Sequence, residues 1–116
     1  MRLSVLPVVA LLAIACGSDS TPTSTTSTNK SYDVFTLATA FSPNLVQISA
    51  GDTIVYHITT APNGEGHDVT FDATAGAPAN IKVTLVGDVS RVFNTRGTFH
   101  YNCFVHPGMT GDIQVK

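Results

Sequence analysis

The chain has 116 residues, of which 43% are hydrophobic and 12% are charged, and its formal net charge is −2. This length supports one domain, and the apolar fraction is high enough to form a core, which argues against a disordered acidic chain. The near-neutral charge balance argues against nucleic-acid binding, which requires a basic face.

Residues 1–15 have the pattern of an export signal. A charged start precedes an apolar run that is too short to cross a hydrocarbon core, which needs about 20 residues. The run ends in Ala-Ile-Ala-Cys at 13–16, which resembles the lipobox of bacterial lipoproteins, although Ala13 stands where leucine is usual. We expect cleavage before Cys16 and lipidation of its thiol. The alternative is an ordinary secreted protein without this anchor.

Residues 16–31 are predicted to be a polar tether. The segment is dominated by Ser and Thr, and it has too little apolar surface to compensate for the entropy cost of ordering it. A random coil of about 15 residues reaches about 20 Å. We therefore expect a domain at 32–116 that is held on the periplasmic or cell-surface side of a bacterial membrane and remains free to rotate.

Eight strands and no convincing helix are predicted along that domain. The strands cover 32–37, 45–48, 53–59, 67–71, 81–86, 90–93, 98–103 and 112–115. Gly, Pro and Asn separate them, with a turn at 41–44 and loops at 60–66 and 72–80. Short strands at this spacing are typical of an all-β sandwich or barrel.

The cysteine count isolates one thiol within the domain. The chain has two cysteines, and Cys16 lies at the processing site. Cys103 is therefore left without an intramolecular partner in an oxidising compartment. Such a thiol is buried and inert, paired with another molecule, or bound to a metal.

The segment around Cys103 combines a thiol, an imidazole and a thioether. Cys103, His106 and Met109 recur at intervals of three. Because an extended residue spans about 3.3 Å, these three side chains can reach one ion only if the segment forms a tight loop. Pro107 and Gly108 supply the turn chemistry for that loop.

A second imidazole would complete a metal site. His67 follows the loop at 60–66 and opens a strand, so it is the candidate fourth ligand. Two imidazoles, a thiolate and a weak axial thioether form the blue-copper site. Zinc accepts Cys and His, but a thioether is a poor zinc ligand, so Met109 favours copper. His57 and His100 alternate with inward-facing residues; we expect His57 to be structural or exposed and His100 to point away from the metal.

Taken together, these motifs resemble those of the cupredoxins. The resemblance rests on Phe41-x-Pro43, Gly51-Asp52-Thr53, His67-Asp68-Val69, Gly97-Thr98-Phe99, Tyr101-x-Cys103, His106-Pro107-Gly108-Met109 and Gly111-Asp112-Ile113. The Cys-x₂-His-x₂-Met spacing is similar to that of amicyanin and pseudoazurin. The resemblance implies a Greek-key β-sandwich of two sheets and one-electron transfer between redox partners.

One residue departs from the cupredoxin pattern. Asp68 stands where many relatives carry Asn, whose amide steadies the ligand loop. An ionised carboxylate cannot donate a hydrogen bond as an amide does, so the support of the loop and the reduction potential are open questions.

We therefore predict a monomeric, non-enzymatic blue-copper protein that cycles between Cu(II) and Cu(I) and shuttles electrons between redox proteins at a membrane surface. Phe104, Val105 and Pro107 are expected to form an apolar rim beside an exposed edge of His106, where electrons enter. The alternative is an extracytoplasmic protein for copper storage or delivery. That role favours open sites rich in Met and His, whereas this chain has two methionines.

Overall fold

The computed structural model describes Gly17 and residues 27–116. The predicted signal peptide, Cys16 and most of the tether lie outside the described residues. The described part of the chain contains nine β-strands and no helix. The strands are β1 Ser31–Thr36, β2 Phe41–Ser42, β3 Leu45–Ile48, β4 Asp52–Ile58, β5 His67–Phe71, β6 Ile81–Thr84, β7 Gly87–Phe93, β8 Gly97–Asn102 and β9 Thr110–Val115. No helix within these residues is both long and apolar enough to span a membrane.

The strands form two mixed sheets that pack as a sandwich. One sheet has the order β2-β1-β4-β7 and the other has the order β3-β9-β8-β5-β6. The pairs β1–β4 and β3–β9 are parallel, whereas neighbours such as β4–β7 and β8–β9 are antiparallel. The predicted all-β sandwich is therefore confirmed.

Alternation of side chains builds the core between the sheets. In β4, Ile54, Tyr56 and Ile58 are at most 2% exposed, while the residues between them are partly exposed. The Tyr101 ring of β8 packs edge-on against Phe41, with ring centroids 4.8 Å apart. Such offset aromatic pairs contribute about 0.5–1.5 kcal/mol beyond the burial of their area.

Strand β2 is the element that the sequence pattern missed. Phe41 and Ser42 pair antiparallel with the end of β1, and Phe41 is 3% exposed. Two residues are too few to show a period, and the following Pro43 and Asn44 favoured a turn at this point. The other eight strands match their predicted ranges to within three residues at either end.

The pairing of β5 with β8 places the metal-ligand candidates at one end of the sandwich. Thr70 pairs with Asn102 and Phe71 pairs with Tyr101 in antiparallel register. The beginning of β5 therefore lies beside the end of β8. His67 opens β5 and Cys103 directly follows β8, so this register brings the two residues together.

Candidate metal centre

Three of the predicted ligands converge in the described structure. One donor atom each from His67, Cys103 and His106 lies within 4.8 Å of the other two, and all three residues are buried. Cys103 Sγ lies 3.9 Å from His67 Nδ1 and 3.6 Å from His106 Nδ1. Both imidazoles therefore present Nδ1 to the sulfur.

These separations fit one shared ion. A metal–sulfur bond of about 2.3 Å and a metal–nitrogen bond of about 2.1 Å, at an angle of about 110–120°, separate sulfur and nitrogen by about 3.6–3.8 Å. The two measured separations are close to this range. Soft sulfur and imidazole donors suit copper, and the Met109 thioether, a poor zinc ligand, favours copper over zinc.

Met109 lies at the end of a closed ligand loop. The Cys103 N–H donates to the Met109 carbonyl at 2.9 Å, and the Met109 N–H donates to the His106 carbonyl at 3.1 Å. Gly108 adopts a φ of 86°, a left-handed conformation that glycine adopts readily. Met109 is 1% exposed. The tight loop predicted from the spacing is thus present, with the thioether side chain turned into the protein.

Asp68 joins the two segments that carry the ligands. Its Oδ1 accepts hydrogen bonds from the backbone N–H groups of Phe104 at 2.8 Å and Val105 at 3.3 Å. Its Oδ2 accepts a hydrogen bond from the Thr70 hydroxyl at 2.8 Å. The carboxylate therefore acts only as an acceptor in these contacts, and it ties the start of β5 to the loop after Cys103.

Burial changes the pKa of two of the donor residues. Burial raises the pKa of the Cys103 thiol, while hydrogen bonds from the backbone N–H groups of Asp68 and His106 act in the opposite direction. Burial is also the main cause that lowers the pKa of His67, with a smaller contribution from His106. A neutral His67 keeps a lone pair for a metal, and the thiol must lose its proton when a metal binds.

The other two histidines in the described residues lie elsewhere on the sheets. His57 is hydrogen-bonded through Nε2 to Asp33 and through Nδ1 to Asp88, each at 2.8 Å. His100 Nδ1 lies 2.8 Å from Asp112 Oδ1. Both carboxylate-paired histidines are away from the cluster, as their strand alternation predicted.

The exposure of the His106 ring differs from the prediction. We expected an exposed edge, but the His106 side chain is only 7% exposed, and Glu65 Oε2 lies 3.4 Å from its Nε2. Phe104 is 71% exposed beside it. No sequence motif identifies Glu65 as a neighbour of His106, because its position depends on the fold of the loop before β5. Its place two residues before His67 is the one feature of the sequence that associates it with the site.

The two-sheet sandwich with a buried sulfur–imidazole cluster at one end defines a cupredoxin. Residues 28–116 match the copper binding proteins of the plastocyanin/azurin family, and the chain belongs to this family. Its cofactor is copper, and His67, Cys103, His106 and Met109 are positioned as a type 1 copper site.

Solved structures of similar fold include three kinds of small copper protein. The pseudoazurin of Methylobacterium extorquens AM1 is 26% identical, with 73% of this chain and 74% of that chain covered and a TM-score of 0.58. A reduced, Cu(I) form of an amicyanin variant is 26% identical, with coverages of 74% and 82% and a TM-score of 0.61. Plastocyanin from Dryopteris crassirhizoma is 22% identical, with coverages of 73% and 100% and a TM-score of 0.57, and supports the fold alone. No curated protein sequence matches the chain.

Proposed function

We propose that the chain is a blue-copper protein that carries single electrons between redox proteins and performs no catalysis of its own. The observation that supports this most directly is the buried cluster of one sulfur and two imidazole nitrogens, with Cys103 Sγ 3.6 and 3.9 Å from the two Nδ1 atoms. Bound copper would supply a one-electron couple between Cu(II) and Cu(I).

The protein's part in this function is to hold the donors and exclude water. His67 and His106 would hold the ion through imidazole nitrogens and Cys103 through a thiolate, and the Met109 thioether would be a weaker donor. All four residues are at most 7% exposed. The ends of two paired strands and the hydrogen-bonded ligand loop hold them, which limits ligand movement between the two valence states.

A visible and EPR spectrum of the copper-loaded protein tests the assignment. We expect an intense visible band from thiolate-to-Cu(II) charge transfer. Cys103→Ser should remove this band and keep the fold, whereas the matched variant His100→Gln, which alters a histidine paired with Asp112 outside the cluster, should keep it. A copper-loaded wild type without the band would contradict the electron-carrier function.

Exchange kinetics separate an electron carrier from a copper-delivery protein. Because the donors are buried, we expect slow loss of Cu(I) to a competing chelator. Loss of Cu(I) within the mixing time, with the visible band present in the oxidised protein, would favour delivery instead.

We further propose that residues 1–15 direct export, that Cys16 is lipidated, and that the segment between Cys16 and the start of β1 at Ser31 tethers a monomeric domain on the periplasmic or cell-surface side of a bacterial membrane. The support is the residue pattern at 13–16. Mass spectrometry of the mature protein should find acyl chains on Cys16, and Cys16→Ala should move the protein from the detergent phase to the aqueous phase. An unmodified mature N-terminus would refute the anchor but leave the copper site unaffected.

A further inference from the structure

The outer edge of the His106 ring faces a carboxylate. His106 Nδ1 points towards Cys103 Sγ, so Nε2 on the opposite edge carries the ring proton when Nδ1 binds a metal. Nε2 is buried, and no hydrogen-bond partner meets it among the described residues. Glu65 Oε2 lies 3.4 Å away. Buried donors are as a rule hydrogen-bonded, so this carboxylate is placed where an acceptor is needed.

The loop before β5 fixes the position of Glu65. The Asn63 side-chain amide donates to Glu65 Oε2 at 2.6 Å, and the Glu65 N–H donates to Asn63 Oδ1 at 3.2 Å. The Ala61 N–H donates to the Glu65 carbonyl at 2.9 Å. At Gly66, an added Cβ would lie 2.5 Å from the Thr84 carbonyl oxygen, so the backbone after Glu65 packs closely against β6.

We propose that Glu65 is a positioning residue for His106 and that its charge favours Cu(II) over Cu(I). This inference rests on the proposed blue-copper function. The carboxylate accepts a hydrogen bond from His106 Nε2–H and holds the ring so that Nδ1 stays directed at the metal. A small rotation of the carboxylate closes the 3.4 Å separation to the usual length of about 2.9 Å. The negative charge stabilises the more positive valence state of the ion.

Three substitutions of Glu65 separate the effect of its negative charge from the effect of its hydrogen bond to His106. Glu65→Gln keeps the shape and an acceptor oxygen but removes the charge. Glu65→Ala removes both, and Glu65→Asp keeps the charge. The control is Asp72→Asn, an exposed carboxylate that follows the opposite end of β5. All four proteins are compared with wild type as copper-loaded holoproteins.

The first measurement is the reduction potential from a spectroscopic redox titration. We expect Glu65→Gln to lower the preference for Cu(II) over Cu(I) three- to tenfold, which raises the potential by about 28–59 mV for a one-electron couple. Glu65→Asp should restore most of the wild-type value, and Asp72→Asn should shift the preference by less than twofold. A Glu65→Gln potential equal to that of wild type, with the blue band intact, would overturn the charge effect and leave the electron-carrier function standing.

The second measurement follows the His106 Nε2–H proton by ¹H–¹⁵N NMR of the diamagnetic Cu(I) protein. We expect a slowly exchanging Nε2–H signal in wild type, and at least tenfold faster exchange in Glu65→Ala. Equal exchange in both proteins would overturn the positioning role. If wild type shows no blue band at all, the proposed function fails first and this inference fails with it.

Discussion

Replacing Asp68 by alanine tests whether one buried carboxylate joins the two halves of the metal centre. Asp68 is 5% exposed, and it accepts two hydrogen bonds at 2.8 Å and one at 3.3 Å. Hydrogen bonds to charged groups contribute about 1.5–3 kcal/mol each. The longest of the three is weak, so the total is smaller than three full contributions. We therefore expect Asp68→Ala to reduce the free energy of unfolding by about 2–4 kcal/mol.

Urea unfolding of the copper-free protein, followed by circular dichroism, measures this effect. Asp68→Asn keeps one acceptor oxygen but no charge, so its loss should be smaller, about 1 kcal/mol. Thr70→Val is the matched control, because it removes only the hydroxyl that donates to Asp68 Oδ2, and it should also cost about 1 kcal/mol. An Asp68→Ala protein within about 0.5 kcal/mol of wild type, as for an ordinary surface substitution, would refute the reasoning.

Three further predictions follow from the core, the surface and the metal. Gly111→Ala would place a Cβ 2.3 Å from the Tyr101 hydroxyl oxygen, and because Tyr101 is fully buried, we expect a loss of about 1–3 kcal/mol in urea unfolding; an unchanged midpoint would contradict this. Hydrogen bonds to Asp33 and then Asp88 raise the pKa of His57, so its stabilising effect should be complete below about pH 6.5 and disappear as pH rises through the raised pKa. The stability difference between wild type and His57→Gln should therefore shrink with rising pH, and a constant difference would refute the linkage. Copper at about 1,000 times its Kd should add about 4 kcal/mol to stability, which a chelator titration with thermal unfolding measures; equal melting temperatures would exclude selective binding to the folded state.

Strand alternation predicted most of the sandwich because the inward residues are large and apolar and most of their neighbours are polar. Ile54, Tyr56 and Ile58 face the core in β4, as their period of two indicated. Phe99 and Tyr101 do the same in β8. The pattern could not reveal which strands pair, because parallel contacts such as β1–β4 join segments that are distant in the chain. It also missed β2, where pairing with β1 rather than periodicity defines the strand.

The grouping of Cys103, His106 and Met109 was predictable because these residues are only three positions apart in the chain. Cys103, His106 and Met109 lie within one loop, so turn chemistry alone placed them together. His67 required the register of β5 against β8, which the sequence pattern indicated only through loop placement. Glu65 was not predicted, because its approach to His106 depends on how two separate loops pack.

The positions of the donors are set by contacts within the protein. Hydrogen bonds close the ligand loop from Cys103 to Met109, and Asp68 links that loop to the strand that His67 opens. These contacts hold the backbone segments that carry the sulfur and nitrogen donors close to one another. Such a site would present the same donors to both valence states of copper. That property would serve electron transfer and slow the release of the ion, and it supports our proposal of a carrier over a delivery protein.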